Sequence, residues 1–463
     1  MNRTTWVSLA SYILLPLLLV VPLLASRASA EWKEQVLYSF QGIPDGSTPY
    51  GGVVFDKAGN LYGTTGWGGS KSCYGPSQCG IVFQLQPQQD GTWTENILYT
   101  FKGAEYGDGA SPDGGLIIDD AGNLYGTTIW GGTGNCELFG STIGCGTVFE
   151  MSPPQQSGGQ WGYAILYSFQ GDKDGQAPTG NLTFDKAGNL YGATQHGGGK
   201  GHNNCNTWYP YCGTVFRLSP PKQKGGAWTE EVLYSFRSVG DNEPSGDGAL
   251  PNGGLVLDSK GAIYGTTFWG GDNHKRNHCR AGQPATGCGT AFKLVRPAKK
   301  GGQWVEELIH VFKDRGDSEH PTAGLTFDAN GQLFGTTLST VFRLTPPSKK
   351  SGQWKLATIY TFTGNGVDPD SSVVFDSGGT LYGTTLNGAY TYSGTVYRLK
   401  PPTRHGGSWT YGLVYGFKGA PDGGQPGANL IFDNAGNLYG TTEDGGTSEN
   451  CSHGCGTVFE VMR

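Results

Sequence analysis

Beyond residue 30 the chain is written in short β-like runs separated by Gly, Asp and Pro turns. One run of eleven residues recurs. FDKAGNLYGTT stands at Phe55–Thr65, IDDAGNLYGTT at Ile118–Thr128, FDKAGNLYGAT at Phe184–Thr194 and FDNAGNLYGTT at Phe432–Thr442, with weaker copies from Leu257, Phe327 and Phe375. Every copy belongs to a larger unit of four pieces. Piece a reads like GGVVFD, piece b like NLYGTT and piece c like GTVFRL. Piece d runs from a Trp to a Phe: Trp32/Phe40, Trp93/Phe101, Trp161/Phe169, Trp228/Phe236, Trp304/Phe312, Trp354/Phe362 and Trp409/Phe417.

Four short strands repeated seven times predict an all-β, seven-bladed β-propeller in one domain over 31–463. The repeats fall at about 51–101, 114–169, 180–236, 253–312, 323–362, 371–417 and 429–463, the last joined by 31–40. The mature chain opens with a lone piece d, WKEQVLYSF, and stops after a lone piece c, GTVFEVM. Pairing the two completes the seventh blade, so the ring is expected to close by its N-terminal strand, leaving no unfinished edge.

The recurring motif therefore reads as scaffold. Asp56, Gly59 and Asn60 are turn residues of an a–b hairpin: Asp bonds its own following backbone, and Gly and Asn accept positive φ. DKAGN resembles part of a calcium loop but lacks the later Glu and the alternating carboxylates.

Composition adds the compartment. Arg3, an apolar run from Val7 to Ala25 and the ending Ala28-Ser29-Ala30 read as a cleaved secretory signal over 1–30, with an uncleaved membrane anchor as the rival. Secretion is the first expectation, with the periplasm or an N-terminal anchor as alternatives, and no membrane contact once the signal is cleaved. Without Arg3 and Arg27 the remaining 30 basic residues face 38 acidic ones. That balance, with no basic stripe, argues against nucleic acid and anionic membranes as partners. Glycine is abundant, 80 of 463 residues, but recurs at fixed offsets beside Phe, Tyr and Leu, so the chain should fold.

Function should lie in what the repeat leaves unexplained. Seven of the 12 Trp start d strands and Trp6 lies in the signal; Trp67, Trp130, Trp208 and Trp269 remain, all between pieces b and c. The ten Cys form five local pairs in the same loops: Cys73/Cys79, Cys136/Cys145, Cys205/Cys212, Cys279/Cys288 and Cys451/Cys455. The fifth and sixth copies, with short b–c loops, have none. Five intraloop disulfides in an oxidising compartment follow, with zinc the runner-up despite the absence of CxxC spacing. No other metal is expected.

In an up-and-down blade the b–c and d–a loops share one face. The c–d turns opposite are basic, as in PPKQKGGAW. The d–a loops bring Asp45, Asp108, Asp174, Asp247, Asp317, Asp368 and Asp422 to the b–c side, which makes an acidic and aromatic working face. Two places past the second Thr of piece b, expected at the channel mouth, stand Trp67, Trp130, His196, Trp269, Ser339, Asn387 and Asp444. Rings on copies one to four and small or polar groups on five to seven break the symmetry as a binding site would. The alternative is that these Trp cap blade tops over Gly-Gly turns.

Exposed rings among carboxylates suit sugars. The expected partner is an extracellular glycan or a cell-surface molecule, held by Trp67, Trp130, His196, Trp269, Asn387 and Asp444 on a monomer. A polysaccharide lyase or hydrolase is the alternative. Its weak catalytic candidates are Glu443 with Asp444 as a carboxyl pair, and His274 with His278 as bases; Asp174 with Asp247 is a further pair, and His196, His202 and His453 share those loops. A structural matrix protein is the third reading. No cofactor is called for. A structural cation in the central channel stays open, because glycine carbonyls and aspartates could meet one there.

The combination DGxxPxGGLxFDxxGNLYGTT…GCGTVFxLxP…W…LYSF resembles the GloVer tandem-repeat family over nearly the whole mature chain. Members look like secreted bacterial repeat proteins, often with a C-terminal sorting signal. This chain ends at Arg463 straight after piece c, which favours release over anchoring. The resemblance implies no reaction and carries over no catalytic residue. More distantly, the rhythm is similar to NHL-type and streptogramin-lyase propellers, at the level of fold alone.

Overall fold

The computed structural model describes residues 32–70, 79–138, 140–156, 158–198, 212–223, 225–237, 246–271, 287–299, 301–313, 319–349, 352–363, 367–388, 393–404 and 406–463. Seven antiparallel sheets succeed one another along the chain, each built from strands a to d in order. In the first blade these are Val54–Phe55, Leu61–Thr65, Ile81–Pro87 and Trp93–Thr100. A single 3-10 turn, Ala104–Tyr106, interrupts the β structure among the described residues.

The seventh blade takes a, b and c from Ile431–Phe432, Leu438–Thr442 and Thr457–Met462. Its outer strand is Lys33–Ser39, paired antiparallel so that Lys33 faces Met462 and Ser39 faces Thr457. The expected closure by the N-terminal strand is what the structure shows.

Each hydrophobic cluster spans a pair of neighbouring blades, so the core is a ring of seams. The phenylalanine ending each d strand meets the aromatic ring of strand c in the next blade, edge to face. Phe40–Phe83, Phe169–Phe216 and Phe312–Phe342 all have centroids 5.1 Å apart, and Phe417–Phe459 lies at 5.0 Å. The tryptophan that starts d packs back on the b-strand aromatic of the previous blade, as in Trp161–Tyr62 at 5.6 Å and Trp409–Phe334 at 5.9 Å. These two contacts account for the Trp…Phe spacing of piece d.

They also account for the glycine of Leu-Tyr-Gly. A Cβ on Gly63 would stand 2.5 Å from Phe83 Cζ, and the equivalent clash recurs in all seven blades, down to Gly440 against Phe459 at 2.7 Å. The c-strand ring lies flat on bare backbone, which no other residue supplies.

The a–b turn is closed by its aspartate. Asp56 Oδ1 accepts from the backbone N–H groups of Ala58 and Asn60 at 2.8 and 2.9 Å, while Oδ2 accepts from Asn60 Nδ2 and the Tyr62 hydroxyl. Asp119, Asp185 and Asp433 repeat the arrangement. The repeated motif is a hairpin lock, and its carboxylate is already committed four times over.

Candidate functional site

The b–c loops are bolted to the following blade. Cys79, Cys145, Cys212, Cys288 and Cys455 are buried and disulfide-bonded. Two bridges lie wholly within the described residues, Cys136–Cys145 and Cys451–Cys455, with Cα atoms 5.1 and 5.2 Å apart. The expected partners Cys73, Cys205 and Cys279 fall outside them. The carbonyl of the second cysteine accepts the N–H of the residue preceding the next blade's proline, as in Ser111 to Cys79 at 3.0 Å and Ala177 to Cys145 at 2.9 Å. Those pre-proline residues sit in the left-handed region, Ser111 at φ 53° and Ala177 at φ 54°. The glycine after the cysteine has no room for a Cβ: one on Gly146 would stand 2.4 Å from Pro178 Cδ.

The second threonine of strand b then determines what faces the axis. Its hydroxyl donates to the carbonyl two residues on: Thr65 to Trp67, Thr128 to Trp130, Thr194 to His196, Thr267 to Trp269, Thr385 to Asn387 and Thr442 to Asp444, at 2.6–2.8 Å. This bend sends the residue one place past the threonine toward the axis and the residue two places past it away. The axial cavity, about 380 Å³, is accordingly lined by Ile129, Gln195 and Glu443, with none of the residues two places past the threonine. The latter pair instead with the incoming d–a segment, Trp130 with Ala110, His196 with Gln176, Trp269 with Ala249 and Asp444 with Gly424.

The six expected ligand residues therefore do not converge. Trp130 packs against the seam between blades 1 and 2. Trp269 lies edge-on to His320 at 4.3 Å and to Phe268 at 5.0 Å, which is the capping arrangement. Asn387 donates to Asp368 Oδ2 at 3.0 Å. Asp444 sits beside His453 and Glu449 in a separate cleft. Trp67 is the exception. It is 42% exposed and lies 6.4 Å, edge to face, from Tyr50, which lines the cavity. His202, His274, His278 and Trp208 are outside the described residues.

The d–a aspartates do not form an open acidic face. Each of Asp45, Asp108, Asp174, Asp247 and Asp422 accepts from a tyrosine hydroxyl of the preceding d strand (Tyr38, Tyr99, Tyr167, Tyr234 and Tyr415) at 2.6–2.9 Å, and from nearby backbone N–H groups. They brace the seams. Asp317 lies outside the described residues.

What sequence reasoning missed is the residue after the proline that opens each piece a. Tyr50, Asp113, Thr179, Asn252, Thr322, Asp370 and Gly427 form the ring around the cavity. The signal was available as a proline seven times followed by a variable residue, with Gly-Gly after it in the copies at Pro49, Pro112 and Pro251 and small or polar residues after it in the rest. Glycine next to x lets the strands crowd the axis: a Cβ on Gly253 would stand 2.1 Å from Gly324 N.

Half of this ring is internally satisfied. Thr179 donates to Asp113, Gln195 to Asn252, Asn252 to the Thr322 carbonyl and Thr322 to the Pro369 carbonyl. The other arc is not. Among the described residues no hydrogen bond reaches the side chains of Asp370, Glu443 or Tyr50, all of which line the cavity. Burial, then the carboxyls of Asp370, Asp444 and Asp113, pushes Glu443 up to about 8. Burial, then Asp113 and Asp368, pushes Asp370 up to about 7. Burial and Glu443 push the Tyr50 phenol up to about 12. Gly427 leaves the opening between the two acids: a Cβ there would stand 2.9 Å from Glu443 Oε1 and 3.9 Å from Asp370 Oδ2. No group of three or more metal-ligating side chains converges closely enough to hold an ion among the described residues.

No curated protein matches the sequence. Among solved structures the chain is similar to a protein of unknown function from Dyadobacter fermentans (11% identity, TM-score 0.42, covering 93% of this chain and 98% of that one). It is also similar to a fungal alcohol oxidase of the AA5 family in complex with copper (13%, 0.50, 93% and 76%) and to a putative gluconolactonase (14%, 0.37, 84% and 95%). At these identities the likeness is one of fold. The Gloeobacter/Verrucomicrobia repeat family matches residues 27–278, more than half of the chain. With seven hairpins of the Gly-Asn-Leu-Tyr-Gly-Thr-Thr type, three of them exact, and its Cys-Gly-Thr bolts, the chain belongs to the Gloeobacter/Verrucomicrobia repeat family.

Proposed function

We propose that the protein is a secreted, disulfide-braced recognition module that holds an extracellular glycan, free or on a surface partner, at the axial cavity. The observation that carries this is the unsatisfied arc of Tyr50, Asp370 and Glu443, set in a ring whose other half is bonded to itself. Carboxyls that titrate near neutrality both donate and accept, which suits sugar hydroxyls, and among the described residues no Lys, Arg or His lines the cavity to attract an anion. Trp67 stands at the rim beside Tyr50, where its face offers a stacking surface for a sugar ring. Neutral glycans are favoured over uronic acids, which the acids repel once ionised.

A glycan-array screen of the purified protein tests the reading, with bound spots examined for cleavage products. Retention of neutral glycans that falls at least tenfold in D370N/E443Q supports it. Unchanged retention in that variant removes the cavity from the reading. Silence across the array leaves a structural matrix role ahead. The arrangement of Asp370 and Glu443 on either side of Gly427 favours a second reading, a glycan-cleaving enzyme. Products lost in E443Q would establish it.

A further inference from the structure

The seam aspartates have a second neighbour, contributed by the next blade from the position two residues past its d-strand tryptophan. At the seam between blades 1 and 2 that residue is Tyr163. Its hydroxyl donates to Asp108 Oδ1 at 2.7 Å, while Tyr99 donates to Oδ2 at 2.9 Å. The two phenols stack with centroids 3.8 Å apart. The position thus calls for a proton donor. At four other seams it is held by Glu34, Glu95, Glu230 and Glu306, set against Asp422, Asp45, Asp174 and Asp247 respectively.

An ionised glutamate has no proton to give. It would also set two like charges face to face across a half-buried seam. Oε1 of Glu34, Glu95, Glu230 and Glu306 is buried with no hydrogen-bond donor beside it, as is Oδ1 of Asp174. We infer that each of these glutamates is protonated and shares its proton with the facing aspartate, so that four of the seven seams are fastened by carboxyl–carboxylate pairs and the ring loosens when those protons leave.

The electrostatic surroundings agree. Burial, followed by the facing aspartate, lifts Glu95 and Glu306 to about 8 and Glu34 and Glu230 to about 7. The other charged groups at these seams are few. Lys418 opposes the rise at Glu34, and Arg237 lies by Asp247. Glu231 and Glu307, next to the two later glutamates, point outward to Arg217 and Lys293. Tyr415, Tyr38, Tyr167 and Tyr234 remain neutral throughout, donating to the same aspartates. The sign follows: a carboxyl raised by folding stabilises fully below its ordinary value of 4.5, and that stabilisation is lost as pH climbs through 7 to 8.

The test is denaturant unfolding of the whole protein between pH 6 and pH 9. The wild-type folded-to-unfolded ratio should fall roughly tenfold per pair across that window, each unit of pKa shift being worth tenfold before screening by solvent. Glu95→Gln and Glu306→Gln keep an N–H donor at the position. Together they should remove about half of the fall, leaving that of the Glu34 and Glu230 pairs, and match or exceed wild type at pH 9. Tyr163→Glu should steepen it by creating a fifth pair. Glu443→Gln is measured alongside, because the axial acids titrate in the same window. A flat wild-type profile, a slope undiminished by both glutamine substitutions, or a slope abolished by Glu443→Gln alone overturns the inference.

Discussion

Replacing Gly192 by alanine tests whether the blade is built on a ring lying against bare backbone. Gly192 is in the b strand of blade 3 and its φ is that of any strand residue, so alanine brings no backbone strain. The added Cβ would stand 2.5 Å from Phe216 Cζ and 2.9 Å from both Phe216 Cε1 and Leu182 Cδ2, against the 3.4–4 Å of ordinary contact. Phe216 cannot retreat freely, since it is fully buried and Phe169 meets it edge-on at 5.1 Å. Relieving about 1 Å of overlap in a closed core costs about 2–3 kcal/mol. Gly162→Ala is the control, an exposed strand glycine whose Cβ would find its nearest neighbour at 3.6 Å; it should change stability by less than about 0.5 kcal/mol. Urea unfolding followed by tryptophan fluorescence measures both. Phe216→Leu added to Gly192→Ala should recover more than about 1 kcal/mol relative to the sum of the single changes. If Gly192→Ala behaves like Gly162→Ala, or the double variant is additive, the explanation of the Tyr-Gly pair is refuted.

Two further outcomes follow from the loops. Cys136→Ser with Cys145→Ser opens a loop of about ten residues, worth roughly 2.5 kcal/mol on the chain-entropy account. Hydrogen exchange should show the loss confined to 131–146, with strand Thr147–Ser152 still protected; loss of protection throughout blade 2 would mean the bridge holds more than its loop. Trp269→Ala should cost about 2 kcal/mol through lost packing on His320 and Phe268. Trp67→Ala should leave the unfolding midpoint in place and weaken glycan retention, and equal destabilisation by both would erase the distinction between cap and rim.

The fold was legible because its determinants recur. Seven Trp…Phe spacings, six Tyr-Gly pairs with Phe334-Gly335 as the seventh, and a lone d piece facing a lone c piece define blades and closure before any coordinate. The site was less legible because it depends on a bend of one residue. Counting two places past Thr128 or Thr442 reaches Trp130 and Asp444, but the threonine hydroxyl folds the chain back on that carbonyl and turns Ile129 and Glu443 inward. The d–a aspartates misled for a related reason: acidity visible in the sequence does not show that Asp45 or Asp247 is already held by Tyr38 or Tyr234. Asp370 and Tyr50 escaped notice since each stands in a repeated Pro-x segment where variation looks like tolerance. Glu443 was singled out from the sequence, and the cavity includes it.

The pairing of Lys33–Ser39 with Thr457–Met462 orders events in time as well as space. A ribosome delivers Lys33–Ser39 before every other blade strand and its partner Thr457–Met462 after all of them. Blades 1 to 6 carry all their own strands and can assemble as they emerge. The seventh waits, and Lys33–Ser39 must be kept from other strand edges until blade 6 has been made. Bringing the two ends together then closes a loop of more than 400 residues, an entropic toll of roughly 5 kcal/mol by loop-closure scaling, offset when six backbone pairs and the Phe40 and Phe417 seams form together. A chain interrupted anywhere before Thr457 is therefore left an arc with two open edges, and the strand Thr457–Met462 decides whether it becomes a ring.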